Sequence, residues 1–120
     1  MNNAWKTKSS KVVYRNQYIT VNEDSVIKPD GQNGVYGYVQ VPRTVGIVAI
    51  DEKSQIYLCK QPRYIFKQDS WEIPRGFVNQ GENIEDAARR ELEEEAGVKA
   101  MSITKIGKVR PSIGLIDEET

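Results

Sequence analysis

The sequence predicts a single α+β domain, and three observations predict it. The chain has 120 residues, room for one hydrophobic core and too little for two. Its first half is a succession of short β-branched and aromatic runs broken by turn residues. Its second half holds one strongly helical segment, Asn83 to Ala96, with a start and a stop signal. Residues 1–41 read as a separable N-terminal β-hairpin layer and residues 42–120 as the main domain.

Taken in order, Lys11-Val12-Val13-Tyr14-Arg15 and Tyr18-Ile19-Thr20-Val21 are strand-like runs separated at Asn16-Gln17. Ser25-Val26-Ile27-Lys28 leads into Pro29-Asp30-Gly31, where proline presets φ and glycine accepts a positive one. Val35 to Val41 alternates as the returning strand of that hairpin. Thr44 to Ile50 is a continuous apolar run, the pattern of a strand covered on both faces. Asp51-Glu52-Lys53-Ser54 is a polar turn, after which Gln55 to Cys59 is expected to pair back. Arg63 to Ser70 reads as a loop, and Trp71-Glu72-Ile73-Pro74 as a short extended segment, because proline keeps its predecessor out of the helical region. Asn83 is placed to cap the helix, with Asp86 at the third position, and Gly97 suits the left-handed residue that ends it. Ser102 to Gly107 is the last expected strand.

Composition narrows the chemistry. With 38% hydrophobic and 28% charged residues the chain suits a globular protein. It contains no histidine, which excludes Ser-His-Asp and Cys-His catalysis and histidine-bound zinc. One cysteine, Cys59, forbids an internal disulfide and is expected in the core. No apolar run approaches the roughly 20 residues that span a bilayer, and the first residues have no signal-peptide pattern, so a cytoplasmic location is expected. Carboxylates, hydroxyls, Lys, Arg and hard metal ions remain.

The charge balances at 17 basic and 17 acidic residues, but not locally. Residues 1–75 carry 11 basic and 7 acidic groups, whereas residues 76–98 carry 2 basic and 7 acidic. At about 100° per residue, Glu91 and Glu95 fall within about 20° of Ile84, on the side that also holds Ala87 and Ala88. A solvated helix sets its glutamates opposite the apolar stripe; here they continue it. Carboxylates on an inward face must be paired, protonated or metal-bound. Arg89 and Arg90 are too few to pair Glu91, Glu93, Glu94 and Glu95. Two readings stand on this geometry: a site for Mg²⁺ or Mn²⁺, which prefer oxygen ligands, and a structural ion-pair network. Zero net charge and the lack of a basic stripe argue against nucleic-acid binding.

The loop before the helix, Gly76-Phe77-Val78-Asn79-Gln80-Gly81-Glu82, lacks the Lys-Ser/Thr of a phosphate-cradling P-loop. Gly76, then Glu82, then Arg90-Glu91-Leu92-Glu93-Glu94-Glu95-Ala96-Gly97-Val98 resembles the Nudix box, with every defined position filled. That resemblance implies an α/β/α sandwich around a mixed sheet. It also implies metal-dependent hydrolysis of a nucleoside diphosphate linked to another group. By matching position, Glu91, Glu94 and Glu95 are the implied metal ligands, joined by the backbone carbonyl of Arg75, with Glu82 acting through water. Arg90 would orient Glu91, Gly76 and Gly97 serve the backbone, and Leu92 is core.

Beyond the box, Leu58 to Tyr64 and Trp71 to Gly76 are similar to the ADP-ribose pyrophosphatase and nucleotide-sugar hydrolase branch. That similarity implies a homodimer through the N-terminal layer and an Arg63 close to the substrate phosphates. Glu72 and Tyr64 join Arg63 as candidate substrate contacts, and Tyr36, Tyr38 and Tyr64 are weighed as base-stacking residues against the ordinary core role of strand aromatics. The implied substrate is ADP-ribose or a similar nucleotide sugar. Alternatives are a dinucleotide polyphosphate, NADH, or a non-catalytic nucleotide-sensing role. In one departure, Ile113 stands where that branch has proline. In another, the chain runs only 22 residues past Val98, short of the strands and second helix the resemblance implies. The expectation is therefore a truncated domain with an uncovered apolar sheet face, weakly active and self-associating.

Overall fold

The structure is a computed structural model and describes residues 4–120. Its order is β1 (Lys6–Arg15), β2 (Thr20–Ile27), β3 (Asn33–Gln40), β4 (Thr44–Gly46), β5 (Cys59–Arg63), β6 (Gln68–Glu72), β7 (Arg75–Phe77), α1 (Ile84–Ala96) and β8 (Ile116–Asp117). Strands together with one helix make the expected α+β class. No helix among the described residues is long and apolar enough to cross a membrane.

The chain divides into two compact units, one comprising the residues up to Pro42 with Val109–Glu119, the other Arg43–Lys108 with Thr120. The first unit is a four-stranded mixed sheet in the order β1-β2-β3-β8. The β2–β3 hairpin pairs Ile27 with Asn33 and Thr20 with Gln40, and the Gly31 N–H donates to the Lys28 carbonyl across the Pro29-Asp30-Gly31 turn at 2.9 Å. Asn16 ends β1 by accepting from the N–H groups of Tyr18 and Ile19 on its side-chain oxygen, so a polar residue supplies the break between the two runs. β1 is an edge strand whose ten residues are all exposed. β8 joins parallel to β3, pairing Val39 with Ile116, a contact between segments far apart in sequence.

In the second unit β4 pairs antiparallel with β7, and α1 packs on them. Val45, Ala87 and Ala88 are buried together, with Ile47, Val78, Ile84 and Ile103 partly buried around them. α1 begins as its residues dictate: Asn83 accepts from the Asp86 N–H at 2.8 Å. It ends at Gly97, whose φ of 66° is readily available only without a Cβ, and the Gly97 N–H closes on the Glu93 carbonyl at 3.0 Å. Cys59 is buried, as expected.

Three expectations are corrected. The Thr44–Ile50 run is not covered on both faces: Thr44 and Val45 are buried, but Val48 and Ile50 are 46% and 63% exposed. α1 packs chiefly on β7 and β4, so the apolar run outlasts its cover. Arg63 to Ser70 is not a loop, because β5 and β6 form a hairpin that turns at Tyr64–Lys67, with Lys67 at φ 54°. Gln55 to Leu58 does pair back, through the antiparallel Ile50–Ile56 bridge and the hydrogen bonds of the Tyr57 N–H to Ala49 and the Asp51 N–H to Gln55, while the longer ladder starts at Cys59 with β6 as partner. Ser102 to Gly107 forms no strand: its alternation lacks a partner edge among the described residues, and Ile106 is 86% exposed.

Candidate active site

The site is built on α1 and the β7–α1 loop. Ala87, Ala88, Leu92 and Glu91 are the buried residues of α1, so a carboxylate does continue the apolar stripe. The reason is local: Glu91 lies one turn beyond Ala87 and Ala88, and side chains three and four apart share a face. Its carboxylate rests against the backbone of Gly76. A Cβ built on Gly76 would lie 2.1 Å from the Glu91 carboxyl carbon and from Oε1. Only glycine leaves that space.

Arg90 organises the acids. Its Nε and Nη2 donate to Oε1 and Oε2 of Glu82, both at 2.9 Å, in a bidentate fork. Nη1 donates to Glu91 at 2.7 Å and to Glu94 at 3.2 Å, and Nη2 also donates to the Phe77 carbonyl at 2.9 Å. One guanidinium thus ties the loop to three carboxylates and the β7 backbone. The fork, with the Asn79 N–H donating to Glu82 at 2.9 Å, holds the Glu82 carboxyl at about 2, well below the usual carboxylate range. The same carboxylates hold the Arg90 guanidinium protonated more firmly still, Glu82 first and Glu91 next.

Glu95 lies half-buried one turn further on and accepts from the Arg75 N–H at 2.9 Å, so β7 and the end of α1 are joined at the residue whose carbonyl is the implied ligand. Glu94 is 59% exposed at its side chain. In this arrangement no three carboxylates or thiols among the described residues stand close enough together to hold one ion, because Arg90 lies among them. The donor chemistry nonetheless fits a hard divalent cation: Glu82, Glu91, Glu94 and Glu95 stand on one loop–helix unit with no sulfur or imidazole among them, and a glycine clears space beside Glu91.

Arg63 and Glu72 are brought together. Arg63 Nε donates to Glu72 Oε1 at 2.8 Å and Nη2 to Oε2, and the pair holds the Glu72 carboxyl at about 2. Tyr64 lies at the hairpin tip, 83% exposed, with the Lys67 ammonium 3.4 Å above its ring. Tyr36 belongs to the first unit, where its hydroxyl donates to the Gly114 carbonyl at 2.6 Å and Trp5 meets its ring edge-on. With Tyr38 and Arg110 it lines an open cavity of about 330 Å³.

Two features were missed. The Glu82–Arg90 fork had a signal, since eight residues separate them and the loop returns to the helix. The contacts of Arg75 Nη2 with Thr44 and Thr120, at 3.4 and 3.1 Å, had none.

Comparison with known proteins agrees with this layout. Residues 40–115 match the NUDIX domain model, and residues 5–39 match the model of the nucleoside diphosphate sugar hydrolase N-terminal domain. The chain is 33% identical over 113 residues to the ADP-ribose pyrophosphatase of Bacillus subtilis, covering 94% of this chain and 61% of that protein. It is 28% identical over 113 residues to the CMP-5'-(N-acetyl-N-hydroxy-3-aminopropyl)phosphonate hydrolase of Streptomyces rubellomurinus, covering 94% of this chain and 55% of that one. The chain therefore spans between 55% and 61% of the length of these relatives. A solved ADP compounds hydrolase superposes with a TM-score of 0.84 at 23% identity, over 96% of this chain and 63% of that one, which makes the fold the same. A family model matched across more than half of the chain, over a loop and helix whose acids gather on one arginine, leaves one assignment: this chain belongs to the Nudix family.

Proposed function

We propose that the chain hydrolyses the pyrophosphate bond of a nucleoside diphosphate linked to another group, with ADP-ribose or a similar nucleotide sugar as substrate. The observation that carries the reading is Glu91, a carboxylate 8% exposed on the apolar face of α1 and seated against Gly76. A buried acid is costly unless it is paired or used, and Glu91 lies within the residues that match the NUDIX domain model. The relatives' names, an ADP-ribose pyrophosphatase and an ADP compounds hydrolase, support the substrate class.

Glu91, Glu94 and Glu95, with the Arg75 carbonyl, would hold Mg²⁺ or Mn²⁺, and Glu82 would act through water. When bound, the ion supplies charge neutralisation for the diphosphate and activation of a water nucleophile. The chain's own residues do the rest. Arg90 holds Glu82, Glu91 and Glu94 in register, and a guanidinium that binds three carboxylates lowers their mutual repulsion while the cation is absent. The Arg75 N–H ties the Glu95 carboxylate to β7. A carboxylate left free of the ion serves as general base. Residues 1–41 are read as the layer through which a homodimer forms, supported by the exposed edge strand β1.

The test is phosphate release, through a coupled phosphatase, from ADP-ribose, other nucleotide sugars, NADH and a dinucleotide polyphosphate, with Mg²⁺, Mn²⁺ or EDTA. Turnover with a nucleotide sugar that EDTA abolishes is expected. Absence of metal-dependent turnover on every substrate refutes the reading. Mg²⁺ at a hundredfold above its dissociation constant should also stabilise the fold by about 2.7 kcal/mol, read as a raised melting temperature.

A further inference from the structure

The β5–β6 register puts Arg63 opposite Gln68, and Glu72 opposite Cys59. An ion pair serving only to clamp two strands would join residues directly opposite each other or diagonal neighbours two residues along. Arg63 instead passes its cross-strand neighbour and reaches along the face shared by Cys59, Gln61, Ser70 and Glu72 to grip Glu72 at the far end. Its charge is thereby carried away from the hairpin tip. At that far end the Cys59 thiol donates to the Glu95 carbonyl at 3.4 Å, so the guanidinium is delivered to the end of the hairpin that meets the last turn of α1. Arg63 feels the charge of Glu95, and Glu72 that of Arg75, as this placement requires.

The pair uses Nε and Nη2 of Arg63 and both oxygens of Glu72. Nη1 makes no hydrogen bond among the described residues. The guanidinium is therefore held in one plane by its inner edge with an outer edge left over, and planar guanidinium geometry matches phosphate oxygens. We propose that Glu72 is a positioning residue: it holds Arg63 so that Nη1 takes a non-bridging oxygen of the diphosphate. The inference rests on the hydrolase reading above for the identity of that ligand. Glu72 itself touches no substrate.

Charge and positioning predict opposite signs, which makes the proposal testable. Glu72→Gln removes a negative charge beside the anion, and on electrostatics alone it would tighten binding. If Glu72 acts by ordering Arg63, the same change weakens binding, by about three- to tenfold for one immobilised side chain. The experiment uses the full chain with Glu72→Gln, Arg63→Ala and the double variant. KM and kcat are measured for ADP-ribose with Mg²⁺, and binding of inorganic pyrophosphate is measured by calorimetry on the same samples. Expected are a raised KM with kcat within about twofold for Glu72→Gln, weaker pyrophosphate binding, and no further loss from Glu72→Gln once Arg63 is Ala. Added guanidinium ion should restore part of the Arg63→Ala activity only while Glu72 is present. Tighter or unchanged pyrophosphate binding in Glu72→Gln, or an equal loss in both Arg63 backgrounds, overturns the proposal. If the wild-type chain turns over no nucleotide, the hydrolase reading fails, while pyrophosphate binding still decides the role of Glu72.

Discussion

Replacing Gly76 by alanine tests the site through one atom. No left-handed φ is involved at this position, which lies in β7, so alanine meets no backbone strain and the whole effect is steric. The new Cβ would stand 2.1 Å from the Glu91 carboxyl carbon and Oε1 and 2.3 Å from Oε2. Those distances are far inside contact, so the carboxylate must leave. Glu91 has little room to move, being 8% exposed, and leaving breaks its 2.7 Å bond from Arg90. A hydrogen bond to a charged group contributes about 1.5–3 kcal/mol, and the lower flexibility of the unfolded chain returns about 0.4–1 kcal/mol. The net expectation is destabilisation by about 1–2 kcal/mol, or roughly 4–10 °C in melting temperature for a chain of this size. The assay is a double-mutant cycle by thermal or urea unfolding, with Gly76→Ala made in the wild type and in Glu91→Ala. Removing the Glu91 carboxylate removes the clash, so the Gly76→Ala cost should nearly vanish in the second background. An equal cost in both backgrounds would refute the argument, because it would place the strain somewhere other than Glu91.

Other outcomes follow from the same geometry. Glu91→Gln and Glu95→Gln keep shape and remove ligand charge, so each should lower turnover by orders of magnitude; near-wild-type rates at saturating Mg²⁺ would remove that residue from the ligand set. The Arg63–Glu72 pair should make stability pH-dependent. The folded-state carboxyl of Glu72 lies at about 2, below its usual value, so its contribution is present above about 4.5 and lost as pH falls toward 2. Because Arg63 is 47% exposed at its side chain, the pair is worth about 1 kcal/mol at most. Urea unfolding of Glu72→Gln against wild type should show that difference at about pH 7 and little of it near pH 2.5; a gap that persists in acid would assign it to packing. Asn83→Ala should cost about 1 kcal/mol by removing the cap on the Asp86 N–H, and a smaller effect on urea unfolding than about 0.3 kcal/mol would show that the helix start is held by other contacts.

Local chemistry made much of this protein legible before any coordinates. The start and end of α1 are written in Asn83 and Gly97, because a cap and a left-handed residue depend only on neighbours within one turn. The β2–β3 hairpin is equally local, with Pro29-Asp30-Gly31 between alternating strands. The inward-facing acid was visible too, since helical period alone carries Glu91 onto the face of Ala87 and Ala88. What the tertiary structure decided is which groups share a place. Arg63 and Glu72 stood as separate candidates until the β5–β6 register put them on one face, and reading residues 63–70 as a loop hid that register. The apolar run after Val45 announced burial, but whether Val48 and Ile50 are covered depends on what packs against them, and α1 packs chiefly on β7 and β4. The parallel pairing of β8 with β3 joins residues far apart in the chain, and no local pattern specifies such a partner. Most of all, the acids of the helix do not stand alone: Arg90 reaches Glu82, Glu91 and Glu94 at once because the loop folds back on α1, and only the folded chain sets that distance. Spacing along a helix dictates which side chains share a side; closure of a loop dictates what they meet there.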